Sequence, residues 1–179
     1  MAELQLPKLI ARVRFPSSAP IHPHNEAMTF HGPNGTRGTR QRKIGPFMRW
    51  VNTRIVNRIR RRGGSLMGSR ILVLNTIGSK TGAERATPVA WIPGQDGSWL
   101  IVASAGGAAR NPAWFSNLAG HPDQVSIDVD RQRIPVRPEQ LHGTDRDAAW
   151  ATITAVAPQF ASYEQKTDRP IPVIRLTRK

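Results

Sequence analysis

The chain has no cysteine, a single tyrosine, and only two acidic residues in its first 70 positions. Without cysteine there are no disulfides, thiolate zinc sites, iron–sulfur clusters or cysteine nucleophiles. No apolar run approaches the roughly 18 residues that a membrane span requires. The N-terminus has no long apolar core ahead of a small-residue cleavage site, so the expected compartment is the cytoplasm. No G-x-G-x-x-G opens a helix after a strand, which removes the usual dinucleotide fingerprint. Gly78-Ser79-Lys80-Thr81 is not a P-loop, because its Lys does not directly follow a Gly. No G-x-S-x-G nucleophile elbow occurs. His22, His24, His31, His121 and His142 lack metal-site spacing, so no metal is expected.

What is present fits one domain with a tail: 179 residues, 39% hydrophobic and 21% charged. The net charge of +14 resembles that of a nucleic-acid binder until it is divided along the chain. Residues 1–70 hold 14 Lys/Arg against 2 acidic residues, whereas residues 71–179 hold 12 against 10. The basic excess therefore belongs to the N-terminal third and is to be explained there. Residues 1–45 are rich in proline and polar side chains, and they read as a basic, disordered tail with too little apolar surface to offset ordering entropy. A translation start at Met28 or Met48 accounts for the same composition.

From Pro46 to Arg62 the pattern predicts a basic amphipathic helix. Pro46 stands at the first helical position, Phe47, Trp50, Val51, Ile55 and Ile59 recur at helical spacing, and Gly63-Gly64 ends the run. Its apolar stripe packs on the domain in the plainest reading. The flanking arginines also suit an anionic membrane surface, at the inner face of the cell membrane. Specific nucleic-acid binding is not expected, because no stacking surface or reading motif accompanies the arginines.

Residues 63–179 read as the main domain. Residues 71–76 and 86–92 are strand-like, the turn cluster 93–97 makes residues 86–104 a hairpin, and 125–129 pairs with 133–137. Residues 171–176 close the chain as a last strand. Asn111 is the expected N-cap of a helix ending at Gly120, and Thr144–Asp147 resembles a capping box opening a helix to about Val156. Short strands with three helices indicate a mainly β, α+β architecture, either a small barrel or a sheet with peripheral helices.

Two stretches carry chemistry. Gly78-Ser79-Lys80-Thr81-Gly82, followed by Arg85, can direct backbone N–H groups and two cations at a phosphate, although such a turn is often merely solvated. Ala103-Ser104-Ala105-Gly106-Gly107 follows a strand and precedes Asn111-Pro112-Ala113-Trp114-Phe115-Ser116-Asn117, so backbone can approach a ligand closely ahead of a helix N-terminus. Trp114 reads equally well as core, while Asn117 is harder to explain as packing.

With Thr167-Asp168-Arg169 ahead of Ile171-Pro172, these stretches resemble the deazaflavin (coenzyme F420)-dependent nitroreductases and quinone reductases. The resemblance runs from about Pro46 to the C-terminus and rests on three motifs in the same order. It implies a split β-barrel of flavin-reductase type and an oxidoreductase that transfers a hydride from reduced F420, rather than FMN, to a quinone-, enone- or nitroaromatic-type acceptor. By the same resemblance, Gly78, Ser79, Lys80, Thr81 and Arg85 would hold the phosphate region. Pro88, Val89, Ala90, Trp91, Val102, Ala103, Ala105, Ala113, Trp114, Asn117 and Phe160 would line the ring and its chain. Ser104 and Tyr163 would be catalytic, with Trp91, Phe160 and Tyr163 as walls for the acceptor. The chain departs from the family at Ala157, Phe160 and Ala90, where tyrosines are common, and at Ala105, where a lysine is frequent. Fewer hydroxyl-bearing aromatics keep a non-catalytic deazaflavin or flavin carrier open as a reading, and the basic N-terminal segment keeps open a peripheral membrane or nucleic-acid binder. A monomer or weak homodimer is expected.

Overall fold

Alternation along β2 (Ser69–Ile77) sets the architecture: Leu72 and Leu74 point to one side and Val73 to the other, and all three are fully buried. A strand buried on both faces needs a core on each side. A computed structural model, describing residues 30–40, 45–66 and 68–179, shows what fills them. The elements are α1 (Pro46–Arg62), β1 (Ser65–Leu66), β2, β3 (Glu84–Pro93), β4 (Trp99–Val102), α2 (Ala113–Gly120), β5 (Ser126–Val129), β6 (Gln132–Gln140), α3 (Gly143–Val156), α4 (Gln159–Lys166) and β7 (Val173–Arg178). Every strand pairing is antiparallel. The order β2-β3-β4-β7-β6-β5 closes through β2–β5, giving a six-stranded barrel with β1 appended to β2.

Leu72, Leu74, Val89, Ile101, Ile127, Ile134, Val136, Ile174 and Leu176 fill the barrel, and Trp114, Phe115 and Leu118 of α2 join the same cluster. Outside, Ile92, Leu100, Val102 and Val173 meet Ile153 of α3 and Phe160 of α4. On another outer face, Val56 and Ile59 of α1 cover Val73, each such burial contributing about 1.5–3 kcal/mol. The mainly β barrel with peripheral helices expected from the sequence is thus the fold observed.

Several local expectations need correction. Trp50, placed in the buried stripe of α1, is 53% exposed, and Val56 takes the buried position instead. Arg60, one of the arginines supplying the helix's positive charge, donates to Asp128 at 2.7 Å and to Asn75 at 3.0 Å, while Arg133 donates to the other Asp128 oxygen at 2.9 Å. Burial opposes ionisation of Asp128, but the hydrogen bonds from Arg133 and Arg60 outweigh it and hold the carboxyl below its ordinary 3.8. Asn111 is not the N-cap of α2: Pro112 occupies that place with no side-chain cap. No side chain caps α3 either, which starts at Gly143. Helix α4 is a fourth helix, too short at eight residues to show a clear period.

The largest difference lies at residues 30–40, expected within a disordered tail. They form an extended strap along the barrel, with an isolated parallel bridge between Thr39 and Ala108. Phe30 packs edge-on against Phe115 at 5.8 Å. Backbone and side-chain hydrogen bonds supply what the apolar surface lacks. Gly35 N donates to Ala109 O at 2.8 Å, and Asn111 Nδ2 donates to Gly32 O at 2.8 Å. His31 N donates to Gln140 Oε1 at 2.8 Å, and Gln140 Nε2 donates back to His31 O at 2.6 Å. The rest of the expected tail, residues 1–29 and 41–44, lies outside the described residues.

Candidate active site

A cleft of about 300 Å³ opens on the outer face of β3, between the end of β4 and helix α4. Pro88, Val89 and Ala90 of β3, Val102 of β4, and Pro112 and Trp114 at the start of α2 give it apolar walls. Helix α4 contributes Gln159, Phe160 and Tyr163, the last two meeting edge-on at 5.8 Å. Ser104, Ala105 and Gly106 form the remaining side. Among the described residues no charged side chain lines this space, and its polar side chains are Ser104, Gln159 and Tyr163.

The Ser104–Gly107 segment is held in an unusual backbone state. Ala105, Gly106 and Gly107 have φ of +47°, +66° and +79°, and Gly107 N donates to Ser104 O at 2.9 Å. The result is a type I′ turn with a non-glycine residue at its first central position, a placement that costs about 1–2 kcal/mol. A Cβ on Gly107 would stand 2.8 Å from Tyr163 O and 2.9 Å from Lys166 Cβ, so the loop lies directly against α4.

Arg169 supports this turn from behind. Its guanidinium donates from Nε to Ala108 O (2.8 Å), from Nη2 to Ala103 O and Ser104 O (both 2.9 Å), and from Nη1 to Asn111 Oδ1 (2.8 Å) and Pro170 O (3.4 Å). Arg169 is 3% exposed, and among the described residues no carboxylate pairs with it. Burial pushes its pKa below the ordinary arginine value. The neighbouring Asp168 latches the strap: the Thr36 hydroxyl donates to it at 2.6 Å, and the backbone N–H groups of Thr36 and Arg37 donate at 3.1 Å each. The Thr36 hydroxyl and the Arg37 N–H are the main causes that lower the Asp168 pKa to about 2. The carboxylate is therefore ionised around neutral pH and able to accept all three hydrogen bonds.

The cationic loop sits outside the cleft. Lys80 and Arg85 are exposed, and Gly82 has φ of +65°. A Cβ on Gly78 would stand 2.7 Å from Thr81 Oγ1, so the Thr81 side chain would have to shift to admit one. Asn117 ties the loop to α2: its Oδ1 accepts from Ser79 N, and its Nδ2 donates to Thr76 Oγ1, both at 3.1 Å. Along β3, three to five residues separate Arg85 from Pro88 and Ala90, about 10–17 Å of extended chain.

Of the residues expected at a cofactor site, Pro88, Val89, Ala90, Val102, Ser104, Ala105, Trp114, Phe160 and Tyr163 come together in the cleft. Gly78, Ser79, Lys80, Thr81 and Arg85 stand apart as the loop. Trp91 is not a wall of the cleft. It shares the parity of Val89, packs against the barrel interior and lies under the Arg70 guanidinium, 5.4 Å from its ring centre. Ala103 is core, Ala113 is exposed beside the cleft, and Asn117 holds the loop rather than lining the space. Gly106, Asn111, Pro112, Asp168 and Arg169 lie within the motifs that the sequence reading quoted, but apart from the close backbone approach at Gly106 they were given no role in the site there, and Gln159 was not singled out.

The model of the F420H(2)-dependent quinone reductase family matches residues 48–178. An F420H(2)-dependent quinone reductase of Mycobacterium tuberculosis is 36% identical over 110 residues, covering 60% of this chain and 73% of the relative. Among solved structures, an F420-H2-dependent reductase matches with a TM-score of 0.54 at 31% identity, over 60% of this chain and 93% of that one. A chain solved as a domain-swapped dimer matches with a TM-score of 0.55 at 28% identity, over 74% of this chain and 100% of that one.

Proposed function

This chain belongs to the F420H(2)-dependent quinone reductase family, and on that premise we propose that the cleft holds the ring of reduced coenzyme F420 face to face with a quinone-like acceptor. The family makes the protein an oxidoreductase that uses F420. The observation that carries the site assignment is the separation of charge. Among the described residues the cleft has no charged lining and mixes apolar walls with polar groups, while two exposed cations stand on a glycine-bearing loop farther along β3. A cofactor with a flat ring at one end and an anionic tail fits that division, with the ring in the cleft and the tail at Lys80 and Arg85.

When bound, the reduced deazaflavin supplies a hydride. The chain's own residues orient and exclude. Trp114 and Pro88 offer apolar surface to the ring, Phe160 narrows the opening, and the Tyr163 hydroxyl is the one phenolic proton donor facing the acceptor's space. Steady-state oxidation of reduced F420 by menadione tests this reading. Turnover is expected in the full chain, and Tyr163→Phe should lower kcat by roughly tenfold while leaving cofactor affinity unchanged. Bound reduced cofactor that menadione leaves unoxidised would favour the carrier instead.

The exposed face of α1 favours contact with an anionic membrane surface. Trp50 stands 53% exposed with the Arg54 guanidinium 4.4 Å from its ring centre, and Arg58, Arg61 and Arg62 are exposed on the same helix. No helix among the described residues is long and apolar enough to cross a membrane. Such a contact would place the enzyme beside lipid-dissolved quinones. At low salt the protein is expected to float with phosphatidylglycerol vesicles; protein left in solution would end this part of the proposal.

A further inference from the structure

We propose that Glu164 is a positioning residue for the acceptor. By accepting from α3 on both carboxylate oxygens it fixes the rotation of α4, and with it the direction in which Tyr163 meets the substrate. The inference rests on the cleft reading, under which Tyr163 serves the acceptor, and names the group that aims it.

Helix α4 carries the cleft residues Gln159, Phe160 and Tyr163 but little that holds their direction. It has eight residues, no side-chain N-cap, and Phe160 as its buried residue. A helix this short relies on its neighbours rather than on its own turns. One neighbour is the Ser104–Gly107 turn, which lies against Tyr163 O. The other is α3, where Arg146 and Trp150 stand one turn apart and share a face. Arg146 Nη2 donates to Glu164 Oε1 at 2.9 Å, and Trp150 Nε1 donates to Glu164 Oε2 at 3.1 Å. Among the described residues, these are the side-chain hydrogen bonds that join the two helices. The Arg146 guanidinium also lies 4.8 Å from the centre of the Trp150 ring, so the two donors are themselves held together.

Donors on separate oxygens fix a direction, where one ion pair would let the carboxylate swivel. The Arg146 and Glu164 side chains are 23% and 43% exposed, so the pair adds little to global stability. Its effect is on geometry. Tyr163 precedes Glu164 by one residue, about 100° around the helix, and Phe160 precedes it by four, on nearly the same face. Holding Glu164 therefore holds both. At the roughly 6 Å radius of a helix with its side chains, a rotation of about 10° moves a side-chain tip by about 1 Å. A displacement of that size can slow a reaction on the order of 100-fold. Pro88 and Trp114, which offer surface to the ring, stand on β3 and α2 and do not move with α4.

Tyr163 is the chain's single tyrosine, so the full chain labelled with 3-fluorotyrosine reports on it alone by ¹⁹F NMR, with no cofactor added. Glu164→Ala is expected to move that resonance while the melting temperature stays within about 3 °C of wild type. With reduced F420 and menadione, kcat should fall roughly tenfold, and the Kd of oxidised F420 should change by less than about twofold. Glu164→Gln keeps the size and one accepting oxygen, and should fall between. Adding Arg146→Ala to Glu164→Ala should cost nothing further, because both break the same tie. An unmoved resonance overturns the positioning role, and so does a moved resonance with wild-type kcat. A wild-type chain that binds no F420, or leaves menadione unreduced, overturns the cleft reading and this role with it.

Discussion

Arg169→Ala is expected to abolish measurable F420 binding and to lower the melting temperature by roughly 10 °C. All five guanidinium donors are engaged, on three interior carbonyls, the Asn111 amide oxygen and Pro170 O. Truncation leaves Ala103 O with no donor, Ser104 O with only Gly107 N, and Ala108 O with only the Thr167 hydroxyl at 3.5 Å. With each charged hydrogen bond worth about 1.5–3 kcal/mol and buried acceptors left unsatisfied, a total loss of about 3–4 kcal/mol is reasonable. For a chain of this size, each kcal/mol moves the midpoint by roughly 2–4 °C. Arg169→Lys keeps the charge but not the planar fork, so it should recover little. A melt within about 2 °C of wild type and unaltered F420 affinity would show that the guanidinium does not brace the cleft.

Lys80→Ala with Arg85→Ala should weaken F420 binding on the order of 100-fold with little effect on folding, since each charge-assisted contact to an anionic group contributes about 1.4 kcal/mol or more. Both side chains are exposed, and among the described residues neither forms a salt bridge. The loss should diminish as salt is raised, because exposed charges are screened. The two variants thus affect binding differently: Arg169 through the shape of the cleft, the loop pair through charge alone. Unchanged affinity in the double variant would remove residues 78–85 from the cofactor site.

The parts of this fold that were legible in the sequence are those encoded by side-chain pattern. Pro46 and Gly63 bracket α1 as expected, the turn at 93–97 joins β3 to β4, and β5 pairs with β6. Strand parity could also have placed Trp91, because it shares a face with the core residue Val89 while Pro88 and Ala90 face the cleft. What remained hidden depends on the backbone. The strap contains few apolar residues, and its order comes from hydrogen bonds to residues 67–132 positions away. Composition cannot register such partners, so the segment reads as disordered. Arg169 was hidden for the same reason, since four of its five acceptors are carbonyl groups of the main chain. Asn117 falls between these cases. Its position one turn after Trp114 marked it as more than packing, and its two hydrogen bonds account for it as the tie between α2 and the cationic loop.

Fluorescence anisotropy of oxidised F420, titrated with the full chain and run in parallel with FMN, tests the central claim most directly. Saturable F420 binding, with FMN at least about tenfold weaker, is the expected result, because the cationic loop and the neutral cleft together suit a flat ring with a long anionic tail. Equal affinity for both, or no F420 binding at all, would contradict the assignment of this cleft.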